Sequence, residues 1–310
     1  MPSEDDQNFE SAGAMEFEAY SMFRVAPRTS RRVNVSRHGF RAGTQNLPWP
    51  PRADDFNVFV FGGSMAFGYG IDDSETIPAQ LNRMLCVSDS ASRVYNFACP
   101  NFDSSQSRIR FEQLLVRGVR PDVAIFIDGF ANFIAPYYAP LVFRPFADAV
   151  RKPGLSRRVS RFLRGEKRTL DQLCRVPDPK DVIADYSANR KIAEAVCDAY
   201  GVRPLFVWQP APCYNYDGDA ARPHAHLHGA EAAPLLECVR AGYALMSQMR
   251  LSSREDARFL WLGDMQAGRT ENLYIDADHY SAAFSQEIAA QIERHLRESG
   301  IAPKTSVPPR

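Results

Sequence analysis

The chain has little of what usually marks a protein's class from its sequence. No apolar run approaches the roughly 20 residues needed to cross a bilayer. The opening MPSEDDQNFESAGAMEFEAY is acidic and polar, where a secretory leader has a basic start and an apolar middle. Net charge is absent: Lys+Arg and Asp+Glu each number 37, so no global field favours nucleic acid or an anionic surface. The six cysteines (Cys86, Cys99, Cys174, Cys197, Cys213, Cys238) contain no CxxC pair, which favours free thiols over a disulfide frame or a zinc site. These absences set an expectation: a cytoplasmic protein without cofactor or metal, with no nucleic-acid partner and no stable membrane insertion.

What is present is ordinary material for a core. The 310 residues are 45% apolar and 24% charged, enough for one large domain or two small ones. Residues 1–19 read as a poorly ordered tail, and 20–56, Arg- and Pro-rich with little periodicity, as an irregular segment packed on the main domain. From 57 to 300 strand-like runs alternate with helical patterns. NVFVF (57–61) precedes a helix over 76–85, with Ile77, Leu81 and Leu85 on one face. RVYNFA (93–98) precedes a helix over 104–118 anchored by Ile109, Leu114 and Leu115. DVAIFID (122–128) is almost wholly apolar, as in a strand buried on both faces. A helix over 181–200 stops at Gly201, RPLFVWQ (203–209) gives a fourth strand, and ARFLWL (257–262) a fifth after a helix over 232–249. A last helix over 281–296 takes Ser281 as its N-cap. Such alternation predicts a parallel sheet with helices on both faces. Insertions fall at about 134–178 and 209–231, and residues 301–310 form a tail.

Two insertions carry unusual composition. RKPGLSRRVSRFLRGEKRT (151–169) holds eight Lys/Arg against one Glu, and reads as a solvated surface face or as a basic lid. In 209–231 the run HAHLH puts His224, His226 and His228 on alternate positions, a spacing that suits a polar loop as well as a metal. A loop directly after a strand end borders the ligand crevice of an open α/β sheet. Trp208, Tyr214 and Tyr216 are therefore candidate pocket residues, with ordinary packing as the alternative.

The loop VFVFGGSMAFGYG (58–70) is the first candidate for chemistry. A phosphate-binding loop needs GxxxxGK[ST], and no lysine follows these glycines; a dinucleotide loop needs a third glycine where Asp73 stands. The nucleophile elbow GxSxG fits up to Met65, with Ala66 in the last glycine slot. Gly62 and Gly63 permit a sharp turn that presents Ser64 above the sheet edge, or they serve only a tight corner. A nucleophilic serine needs a base with an orienting partner. His279, in LYIDADHYS just before the last helix, has Asp276 three residues upstream, close enough in a turn to accept the proton of one ring nitrogen. Asp278 is adjacent in sequence, where reaching the ring is harder.

Taken in order, FGGSMAFG after the first strand, NFACPNFDSSQ after the second, PDVAIFIDGFANF after the third and DADHYS before the last helix resemble the four blocks of the SGNH (GDSL-type) hydrolases. The resemblance spans about 57–298. It implies a three-layer α/β/α sandwich on a flavodoxin-like parallel sheet of about five strands. It also implies a serine esterase for a carbohydrate, lipid or small-metabolite ester, with acyl transfer or a non-catalytic binding role as alternatives. By that resemblance Ser64 is the nucleophile, His279 the base and Asp276 its orienting carboxylate. The oxyanion hole combines the Ser64 N–H with Asn101, which stands where the family has glycine, and Asn132, one residue later than usual after Gly129. Gly63 and Met65 would border the pocket with Trp208 and Tyr214.

Overall fold

The computed structural model describes residues 15–43, 47–88, 90–137, 175–216, 232–252 and 256–302. The basic stretch 151–169, the three histidines of HAHLH, and the terminal residues 1–14 and 303–310 lie outside these. The chain opens with a two-stranded antiparallel hairpin, β1 (Met15–Glu18) and β2 (Met22–Val25). Strand β3 (Phe56–Gly62) leads into the one-turn helix α1 (Ser64–Phe67), then α2 (Ile77–Ser88). β4 (Ser92–Asn96), α3 (Ser104–Val116) and β5 (Val123–Asp128) follow. After α4 (Pro179–Tyr200) come β6 (Arg203–Trp208), α5 (Ala232–Ser252), β7 (Phe259–Trp261) and α6 (Ala282–Glu298).

The five core strands are all parallel, as the alternation predicts, and run in the order β4-β3-β5-β6-β7, the flavodoxin-like order that the resemblance implies. Every residue of β3 and β5 is buried, as their apolar runs require when helices cover both faces. Alternation divides the core chemically. Val58, Val60, Ile125, Ile127, Leu205 and Val207 face α2, α5 and α6, while Phe59, Phe61, Tyr95, Phe97, Phe126 and Phe206 form an aromatic layer under α3 and α4. Phe61 and Phe126 stack at 5.2 Å, and Phe126 and Phe206 at 5.2 Å, continuing that layer across three strands.

The helix ends follow local rules. Asp103 caps α3 by accepting from the Ser105 and Gln106 N–H groups, and Gln106 reaches back to close a capping box. Ser281 caps α6 through the Phe284 N–H, and Gly201 ends α4 in the left-handed conformation. α4 begins at Pro179, two residues before the expected start, because Asp178 caps it and proline suits the first turn. In α3, Phe111 rather than Ile109 is the deep anchor.

The hairpin is the main departure from expectation. Met15–Glu18 pairs with β2 across the boundary assigned at residue 19. Its anchor is electrostatic: Glu18 accepts from Arg110 Nη1 at 2.9 and 3.0 Å, and both side chains are buried. The segment after it docks through bridges linking Arg28 to Val35, Val35 to Arg41, and Arg41 to Asn96 at the end of β4. Among the described residues no helix is long and apolar enough to cross a membrane.

Candidate active site

In the order β4-β3-β5 the chain leaves β3 for one neighbour and returns on its other side. Crevices at such a reversal, outside the carboxyl ends of the strands, are where open α/β sheets hold ligands. Ser64 is the second residue after the end of β3, at that reversal point. From Phe56 to Gly68 every residue is buried except Ser64, so the loop presents one side chain and hides the rest. Two glycines make this possible. Gly62 has φ 151°, and a Cβ on it would lie 2.5 Å from the Ile127 carbonyl oxygen. A Cβ on Gly63 would lie 2.9 Å from the Ala131 Cβ and 3.1 Å from the Phe102 carbonyl oxygen. The loops after β3, β4 and β5 thus meet at the residue before Ser64.

Two of those loops bring amides. Asn101, after β4, takes φ 64° and is exposed, the left-handed conformation that asparagine tolerates best among side-chain-bearing residues. Asn132, after β5, is buried and held at both ends of its amide: Oδ1 accepts from the Gly129 N–H at 3.2 Å, and Nδ2 donates to Ser104 Oγ at 2.8 Å. Ser104 Oγ also accepts from Asn189 Nδ2 at 3.2 Å, which ties the arrangement to α4. One hydrogen of the Asn132 amide remains for another acceptor.

Asp276 and His279 sit in a tight loop closed by Tyr274 and Tyr280, which pair as an isolated bridge. Asp276 Oδ2 lies 2.8 Å from His279 Nδ1, and Oδ1 accepts from the backbone N–H groups of His279 (2.8 Å) and Asp278 (3.0 Å). Burial raises the Asp276 pKa, but the His279 ring and these N–H groups outweigh it and hold the carboxyl well below its ordinary range. Asp278 reaches further than its sequence position suggests, with Oδ1 3.3 Å from Nδ1. Loop curvature brings the backbone round so that two carboxylates face one ring nitrogen. The ligand atoms of Asp276, Asp278 and His279 lie within 4.8 Å of one another, the one such grouping for a cation among the described residues.

The last-helix loop meets the serine loop through a ring contact. His279 packs on Tyr69 with centroids 4.6 Å apart, and the Tyr69 N–H bonds the Ser64 carbonyl at 3.0 Å. Tyr69 thus links the segments of residues 64 and 279, more than 200 positions apart.

The pocket expectations fare differently. Trp208 has no exposed surface and packs on Tyr186 at 4.8 Å and Tyr243 at 5.4 Å; it is a core residue, because α4 and α5 close over the end of β6. Tyr214 is partly buried against Tyr243 and Trp261. Gly63 and Met65 are buried around the turn. Sequence reasoning missed Ser104 and Asn189, whose roles depend on contacts between α3 and α4. It also missed Asp128, buried at the end of β5 with its pKa pushed up to about 8, first by burial and then by Asp103.

No family model matches the sequence, and no curated protein does. Solved structures are similar to it at low identity. Est24, a carbohydrate acetylesterase from Sinorhizobium meliloti, is 11% identical, with a TM-score of 0.45 over 78% of this chain and 98% of that one. The psychrotrophic esterase EstA from Pseudoalteromonas sp. is 10% identical, with a TM-score of 0.43 over 79% and 98%. A member of the lipolytic protein G-D-S-L family from Veillonella parvula is 9% identical, with a TM-score of 0.40 over 78% and 96%.

Proposed function

We propose that the chain is a serine esterase of the SGNH (GDSL-type) kind, acting on a carbohydrate, lipid or small-metabolite ester. The observation that carries this reading is convergence. The turn holding Ser64 is touched by the loop after β4, by the loop bearing Asn132, and through Tyr69 by the ring of His279. Ser64 Oγ attacks the ester carbonyl carbon as His279 takes its proton. With Nδ1 engaged by Asp276, that transfer falls to Nε2. Asp276 keeps its negative charge and stabilises the imidazolium that forms. The carbonyl electron pair moves onto oxygen, where the Ser64 N–H, the Asn101 N–H and the Asn132 amide donate to it. The oxyanion collapses, the C–O bond to the alcohol breaks, and His279 returns the proton to the leaving group. Water then repeats the sequence on the acyl-enzyme and regenerates Ser64.

A fluorophosphonate probe tests the reading directly. Wild type should label and Ser64→Ala should not, with p-nitrophenyl acetate hydrolysis lost in parallel. A folded wild-type protein that takes no label would overturn it. Esters of increasing acyl length, run beside acetylated sugars, then narrow the substrate class.

A further inference from the structure

We infer that Arg41, in the segment ahead of the core domain, is a positioning residue for the Ser64 turn; this rests on the esterase reading above. The turn has a weakness that needs a remedy. α1 is four residues long, far too short to hold its shape by its own hydrogen bonds. Its end carries carbonyl groups with no continuing helix to receive donors. Arg41 supplies them. Its Nη1 donates to the carbonyls of Phe67 (3.0 Å) and Gly68 (2.7 Å). Nη2 donates to Ile71 (2.8 Å) and Arg32 (3.3 Å), and Nε donates to Asp73 Oδ1 (2.6 Å).

All five guanidinium N–H groups are therefore used, and none is spent on solvent: the side chain is 1% exposed. The guanidinium also lies over the Phe67 ring, 5.0 Å from its centroid. Asp73, 6% exposed at its side chain, is held in turn by Asn34 Nδ2 at 2.7 Å. Arg32 pairs with Asp72 next door. From the sheet side Asn96 Nδ2 donates to the Ala66 and Phe67 carbonyls at 3.3 and 3.2 Å. Arg41 itself is fixed by its backbone N–H on the Asn96 carbonyl at 2.8 Å. The carbonyl end of α1 is thus gripped from two sides, by the edge of β4 and by a side chain from outside the core domain.

The consequence concerns the other end of the same turn. Gly68 and Tyr69 both donate N–H bonds to the Ser64 carbonyl, at 3.0 and 3.0 Å. Tyr69 carries the ring against which His279 packs. Fixing residues 67–71 fixes the Ser64 backbone and the Tyr69 ring together. Lysine cannot replace this fork, since an ammonium offers three donors around one point and cannot reach the five acceptors that the planar guanidinium serves.

The test uses Arg41→Lys in the full chain, with Asn34→Ala as a milder variant that leaves the guanidinium in place and removes the Asn34 bonds to Asp73 and to the Ser30 N–H. Hydrogen exchange should accelerate at the Gly68, Tyr69 and Ile71 amides in both, with the β3 and β5 amides unchanged. The rate of Ser64 labelling by a fluorophosphonate, and kcat on p-nitrophenyl acetate, should fall about 10- to 100-fold in Arg41→Lys with KM nearly constant, as misplacement of a reacting group by about 1 Å produces. Arg41→Gly should recover part of its labelling rate when millimolar guanidinium is added, together with exchange protection at the Gly68, Tyr69 and Ile71 amides; rate recovered without that protection would overturn the positioning role. Unchanged exchange at 68–71 in a folded Arg41→Lys protein overturns the positioning role. So does an unchanged labelling rate. A wild type that takes no label, with exchange altered as described, overturns the esterase reading and leaves the clamp as a structural one.

Discussion

Asp128 offers a sharp test of the interior next to the site. Its carboxyl lies at the end of β5, 3% exposed, directly before the Gly129 N–H that holds Asn132. Among the described residues no arginine or lysine pairs with it. The titratable groups among them that interact with it are Asp103, Tyr186 and Tyr243, none of which offers positive charge. Burial, with Asp103 second, pushes its pKa from 3.8 to about 8. The unfolded chain releases this proton near pH 4 and the folded chain keeps it until about pH 8. Between those limits the native state binds more protons, so the contribution of Asp128 to stability is fully present below pH 4 and lost as pH rises to 8. A shift of about 4 units corresponds to at most about 6 kcal/mol, a large share of the 5–15 kcal/mol of a typical domain, and water entry on ionisation will reduce it. Asp128→Asn replaces the carboxylic acid by a neutral group of the same shape. Chemical denaturation at half-unit steps from pH 4.5 to 8.5 should show the variant close to wild type at the acid end. It should overtake wild type by about 2–4 kcal/mol at the alkaline end, after discounting that ceiling. Parallel stability curves over the whole range would refute the argument, because titrations elsewhere in the chain cancel in the difference.

Three further outcomes follow from the geometry. If Asn132 is an oxyanion donor as proposed, Asn132→Ala should lower kcat by about 10²–10³ with little change in KM, and unaltered turnover would show that another group donates. In the proposed triad Asp276→Asn removes the charge beside the His279 ring; kcat should drop sharply, and the acid limb of the kcat/KM profile, which rises as the base loses its proton, should move to lower pH. Asp276 cannot supply that limb, because its carboxyl is held well below its ordinary range; a limb unmoved by the substitution would contradict the pairing. Glu18→Ala strands the buried Arg110 guanidinium and should destabilise the protein by about 3–5 kcal/mol in urea titration, whereas a loss under 1 kcal/mol would mean that the hairpin anchor is not electrostatic.

What the residues disclosed without coordinates follows from how local each cause is. β3 and β5 were legible because strands buried on both faces are apolar along nearly their whole length, and VFVF and VAIFI are short apolar runs rich in β-branched and aromatic residues and bounded by polar residues or glycine. Ser281 and Gly201 were legible because caps act within four residues. The pairing of Asp276 with His279 was legible for the same reason, since its geometry lies within one turn. Asp278 was misjudged because reach across a curved loop depends on its φ and ψ angles rather than on separation.

The contacts between distant segments were not legible, and Arg41 shows why. Residues 20–56 contain many arginines, and composition marks the segment as polar and irregular without distinguishing the one whose side chain is 1% exposed. Burying a guanidinium is worthwhile only where acceptors already converge, and these come from Phe67, Gly68, Ile71, Arg32 and Asp73. Ser104 is similar: it reads as the first residue of a helix until Asn132 and Asn189 both place an amide on its hydroxyl. Trp208 errs in the opposite direction. A strand-end aromatic reads as pocket lining only if nothing covers it, and α4 and α5 do. The chemistry-bearing residues sit in short motifs because each needs a neighbour in its own turn. The residues that aim them are scattered because rigidity in a one-turn helix has to be supplied from outside it.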